Sequence, residues 1–70
     1  MDEIRIGLFG LGYRGIHWLR VIQQIEGYRI TAIGDIFPAL HERAFSELED
    51  REGVAAYARY QDLLADANVD

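Results

Sequence analysis

The stretch Ile4-Arg5-Ile6-Gly7-Leu8-Phe9-Gly10-Leu11-Gly12-Tyr13-Arg14-Gly15 decides the fold of this 70-residue chain. Its first half, Ile4 to Phe9, is a short apolar run with Ile4, Ile6 and Leu8 on one face and Phe9 on the other, the pattern of a buried strand. Its second half is GxGxxG, carried by Gly10, Gly12 and Gly15 and placed directly after the predicted strand, where a helix is about to start. That context gives the motif its physical meaning. Gly10 permits a tight turn, Gly12 leaves the backbone open to a pyrophosphate with no Cβ in the way, and Gly15 lets the helix pack closely on the strand. Phosphates would sit at the helix N-terminus, where unpaired N–H groups and the positive end of the helix dipole favour an anion. Arg14 adds charge there, or is an ordinary solvated helix residue. A glycine-rich strand-to-helix turn without a ligand is the competing reading, and the flanking elements weigh against it.

Outward from this stretch, Tyr13 to Glu26 has helical spacing, with Gly15, Trp18, Leu19, Ile22 and Ile25 forming a stripe expected to face a sheet. Gly27 is placed to stop that helix, and Tyr28 to Ile33 follows with β-branched and aromatic content, a second strand. Gly34-Asp35-Ile36-Phe37-Pro38 breaks it. Pro38 suits the first turn of a second helix, running to about Asp50 with Phe37, Leu40, Ala44, Phe45 and Leu48 on its apolar side. Val54 to Tyr57 reads as a short strand and Gln61 to Asp66 as a short helix. The order β-α-β-α-β-α with short connections predicts an α/β fold, a Rossmann-type doubly wound parallel sheet of which only the first β-α-β-α-β-α portion is present. Right-handed crossovers place the two longer helices on one face, leaving the other face with almost nothing to cover it. In the strand order 3-2-1-4-5-6 the first strand would be an edge. Residues 1–70 are therefore expected to be the N-terminal part of a dinucleotide-binding domain, with the rest of it and a substrate domain beyond Asp70. Alone, the segment is expected to be inactive, and marginally stable or associated.

Asp35 ends the second strand, twenty positions after Gly15, where a dinucleotide fold places the carboxylate that accepts hydrogen bonds from adenosine ribose hydroxyls. The same charge repels a 2′-phosphate, and neither Ile36 nor Phe37 supplies the cation that NADP would want. NAD is the expected cofactor rather than NADP. The competing reading makes Asp35 a turn residue ahead of Pro38.

Composition removes other classes. The net charge of −5 provides no basic footprint for nucleic acid or an anionic membrane. Without cysteine there is no disulfide framework and no thiolate metal site. His17 and His41 lack companions at ligand spacing, so no metal is expected. No apolar run approaches a membrane span, and Met1-Asp2-Glu3-Ile4-Arg5 lacks the features of a secretory signal, which makes the cytoplasm the default. Glu47, Glu49, Asp50 and Glu52 read as a solvated helix end. Tyr57 and Tyr60 read as core and rim.

Together with Gly34-Asp35 and the segment Tyr60-Gln61-Asp62-Leu63-Leu64-Ala65-Asp66-Ala67-Asn68-Val69-Asp70, the opening stretch resembles the Gfo/Idh/MocA oxidoreductases over the whole chain. The resemblance implies a Rossmann domain followed by an α/β domain with an open antiparallel sheet, and hydride transfer between NAD or NADP and a sugar, inositol or related polyol. A homo-oligomer is expected at full length. The family's Glu-Lys-Pro motif and its acid-base residues would lie beyond residue 70, so no catalytic residue is assigned here. Cofactor contacts carry over to Gly10, Gly12, Tyr13, Arg14 and Gly15 at the pyrophosphate and to Asp35 and Ile36 at the ribose. Two alternatives stand beside this: a regulatory module that binds NAD without chemistry, and an S-adenosylmethionine-dependent methyltransferase. The latter's loop is usually GxGxG, whereas here Tyr13 and Arg14 separate Gly12 from Gly15.

Overall fold

The computed structural model describes residues 3–70. Strand β1 (Ile4–Phe9), helix α1 (Tyr13–Gln23), strand β2 (Tyr28–Gly34), helix α2 (Pro38–Glu47), strand β3 (Ala55–Tyr57) and helix α3 (Tyr60–Leu64) follow one another in the expected alternation. The three strands form one parallel sheet in the order β1-β2-β3, a partial Rossmann-type fold. Ile4 lies opposite Tyr28 and Phe9 opposite Gly34, with a shift after Ile6 that leaves Thr31 as an extra residue in β2.

Helices α1 and α2 pack side by side on one face. Leu11, Ile16, Leu19, Ile30, Ile33, Ala44 and Leu48 form the buried core between them and the sheet. The two helices are also tied by polar groups: Arg20 pairs with Glu47 at 2.6 Å, Gln23 Nε2 donates to the Glu47 carbonyl, and Glu49 N donates to Gln23 Oε1. Glu47 is thus a packing residue, not simply part of a solvated helix end.

The sequence stripe of α1 needs rotating. Its buried arc centres on Leu19 and includes Ile16, which the apolar stripe left out, while Trp18 is 55% exposed. At 3.6 residues per turn Trp18 stands about 100° from Leu19, on the flank away from α2, and Ile25 lies exposed beyond the end of the helix. The helix stops at Gln23, and Gly27 lies in a turn closed by Tyr28 N to Ile25 O. Phe37 likewise leaves the stripe of α2. It precedes Pro38, which holds it in an extended conformation outside the helix, and its side chain is exposed. Pro38 itself occupies the first turn as expected. Helix α2 ends at Glu47, because Leu48 is extended, rather than near Asp50.

The second face of the sheet is better covered than expected. A Cβ on Gly7 would come within 2.7 Å of Leu63 Cδ2, so α3 rests directly on β1, and Phe9 meets Tyr60 edge to face. Thr31 and Ala32 are buried, and the Thr31 hydroxyl donates to the Asn68 carbonyl. The amides of Ile4 and Gly10 point to β2, donating to Gly27 O and Gly34 O; alternation then turns those of Arg5 the other way. Asp70 lies along that far edge: its N–H donates to Arg5 O at 2.9 Å and its carboxylate accepts from Arg5 N at 2.7 Å. The edge of β1 is partly paired.

Candidate functional site

The carboxyl ends of β1 and β2 bring the glycine stretch and Asp35 together. Gly10 has φ of +102°, a conformation side chains rarely adopt, and its N–H donates to Gly34 O at 2.8 Å, fastening the turn to the end of β2. Gly15 stands against the turn: a Cβ there would fall on the Gly10 carbonyl oxygen. Gly12 differs from both, since a Cβ on it would meet nothing within 4 Å. It opens to solvent at the N-terminus of α1, where no side chain caps the helix and the first turn holds no acidic residue. Uncapped N–H groups, a positive dipole end and an unobstructed glycine backbone suit a phosphate.

Tyr13 is 89% exposed and Arg14 is exposed; among the described residues Arg14 pairs with no carboxylate. Both border the open side of the loop.

Asp35 is buried, 8% exposed, and both its oxygens are engaged. Oδ2 accepts from Leu11 N at 2.8 Å and Oδ1 from Phe37 N at 2.9 Å. Hydrogen bonds from the Leu11 amide, more than any other influence, hold its carboxyl below the usual carboxylate range, against the opposing effect of burial. It is therefore ionised at neutral pH. An ionised carboxylate offers about four lone-pair sites, so two amide contacts leave acceptor capacity for ribose hydroxyls. Asp35 is also a turn residue, through Phe37 N, as its competing reading expected. Ile36 is exposed beside it. A dinucleotide fits this donor set: amides for the pyrophosphate, a carboxylate for the ribose.

Two contributors had no sequence signal. Leu11, an unspecified position of the motif, is completely buried and supplies the amide to Asp35. His41 Nε2 donates to the Asp35 carbonyl at 2.9 Å, anchoring α2 to the end of β2. Tyr57, placed at the core or rim, donates its hydroxyl to Asp66 Oδ2 at 2.7 Å. The open grooves, lined by residues such as Glu3, Arg29 and Glu52, lie at the amino end of the strands, away from the glycine loop. No group of metal-ligating side chains occurs among the described residues, and no helix there is long and apolar enough to cross a membrane.

Comparison with curated proteins gives relatives of one kind. A glycosyl hydrolase family 109 protein of Shewanella amazonensis is 41% identical over all of this chain. The chain resembles glycosyl hydrolase family 109 proteins. A second, glycosyl hydrolase family 109 protein 2 of Shewanella sp. strain ANA-3, is 40% identical, and one from Shewanella baltica strain OS195 is 32% identical, again over the whole chain. The chain spans 17% of the length of each. No family model matches it.

Proposed function

We propose that this segment holds the adenosine and pyrophosphate portion of NAD for a carbohydrate-directed enzyme of the Gfo/Idh/MocA type. The observation that carries the reading is the pairing of an open, uncapped glycine loop with a buried, ionised Asp35 at the adjacent strand end. Gly12 and the first amides of α1 receive the pyrophosphate, with Tyr13 and Arg14 on its outer side. Gly15 brings the helix close enough to aim those amides. Asp35 accepts from the ribose hydroxyls, its charge disfavours a 2′-phosphate, and Ile36 gives an apolar edge beside the ribose. Bound NAD would supply a hydride acceptor. The substrate domain and the acid-base residues lie outside residues 1–70 in this reading, and the assembled protein is a cytoplasmic homo-oligomer acting on a sugar or polyol.

The names of the relatives favour a second outcome at the same site, net hydrolysis of a glycosidic bond. NAD-dependent glycoside hydrolysis is an established departure from the two-carboxylate mechanism. The binding role of these residues is the same in both cases; the fate of the cofactor differs. With the full-length protein and a chromogenic glycoside, net hydrolysis releases the chromophore without accumulating NADH, whereas net oxidation accumulates NADH. Thermal-shift measurements test the shared premise: NAD raises the melting temperature, and S-adenosylmethionine does not. Stabilisation by S-adenosylmethionine alone would overturn it in favour of a methyltransferase.

A further inference from the structure

Every polar group of Asp35 is tied to a different part of the fold. Its N–H donates to Tyr57 O at 3.0 Å, at the end of β3, and its carbonyl accepts from His41 of α2. One carboxylate oxygen serves its own turn through Phe37 N, and the other reaches across to Leu11 N in the middle of the glycine loop. Leu11 is fully buried, so water does not stand in for that acceptor, and a buried amide without a partner is costly. The loop conformation between Gly10 and Gly12 therefore depends on the carboxylate.

We propose that Asp35 is a positioning residue for the pyrophosphate cradle, presetting the glycine loop through Leu11 before any dinucleotide arrives, in addition to contacting the ribose. The proposal rests on the nicotinamide-dinucleotide reading of the site. Its consequence is that the ribose and pyrophosphate subsites are coupled, and that replacing Asp35 to admit NADP loosens the grip on the phosphates as well.

Asp35→Asn in the full-length protein separates the two roles. Asparagine has nearly the same shape but only one acceptor oxygen, so it serves Leu11 N or Phe37 N and turns an N–H₂ group toward the other. Two ligands are titrated by calorimetry: NAD, and an NAD analogue whose adenosine ribose lacks both hydroxyls. A residue acting only on those hydroxyls leaves the analogue's affinity unchanged on substitution. A positioning residue weakens the analogue too, by about tenfold for the loss of one charged hydrogen bond. Equal affinity of wild type and variant for the analogue overturns the proposal. A second measurement needs no ligand: backbone amide exchange at Leu11 is slow in the wild type and faster in Asp35→Asn. An unprotected Leu11 amide in the wild type overturns the proposal even where the variant does not fold. Failure of the wild type to bind either ligand would instead refute the dinucleotide reading, leaving Leu11 exchange to decide the presetting.

Discussion

The two ends of β1 are held by different means. At the amino end Arg5 meets Asp70 in an exposed ion pair at 2.9 Å, with Asn68 Oδ1 accepting from the same guanidinium. At the carboxyl end the buried carboxylate of Asp35 accepts from backbone amides, and Gly15 lets α1 sit against the turn. Water and salt compete with the first arrangement and hardly reach the second. Structural strength that survives solvent is concentrated where the proposed ligand binds.

The largest effect tests the close approach at Gly15. Gly15→Val in the full-length protein places a branched side chain against the Gly10 carbonyl, where backbone stands on both sides, and should cost about 3 kcal/mol or more in denaturant unfolding. A variant as stable as the wild type would mean the helix does not pack there.

Gly12→Val sharpens the contrast within the same motif. The backbone at Gly12 is extended and its surroundings are open, so the stability cost should be about 1 kcal/mol, that of a poor N-cap residue. Affinity for NAD, in contrast, should fall at least about tenfold, because the side chain occupies the space the pyrophosphate needs. Unchanged affinity in a folded variant removes Gly12 from the site.

Acid titration compares the two carboxylates. Both are depressed in the folded state: Asp35 by the amides of Leu11 and Phe37, Asp70 to about 2 by its hydrogen bonds with Arg5. A depressed carboxylate contributes stability that is present above its unfolded pKa, near 4, and is lost as pH falls through its folded value. Asp35→Asn should therefore flatten the acid limb of a stability-versus-pH curve, and its effect should persist in high salt. The smallest effect belongs to Asp70→Asn, whose contribution at neutral pH should largely vanish in molar salt. Equal salt sensitivity of the two variants would erase the distinction between the ends of β1.

The alternation of elements and the placement of the glycine motif were legible because strand and helix periodicities and the φ demand at Gly10 are local properties. The role of Gly15 was legible too, since it lies within the sheet-facing arc as well as in the motif. Trp18 and Phe37 were not. Each fits an apolar stripe, but Trp18 falls on the flank of α1 away from α2, and the extended residue before Pro38 does not follow helical phase. Coverage by α3 was missed because it depends on Gly7 making room for Leu63, a contact between residues 56 positions apart. At the site, Asp35 was found by its register with the glycines, whereas Leu11 and His41 act through a backbone amide and a carbonyl contact that leave no mark on residue type or spacing.

The glycine loop and Asp35 are proposed to bind NAD together and to select against a 2′-phosphate. Calorimetric titration of NAD and NADP into the full-length protein tests this most directly, with Asp35→Ser as the companion variant. NAD should bind the wild type more tightly than NADP, with a narrower gap in the variant, where the repelling charge is gone. Equal or tighter binding of NADP by the wild type, or no binding of either dinucleotide, would contradict it.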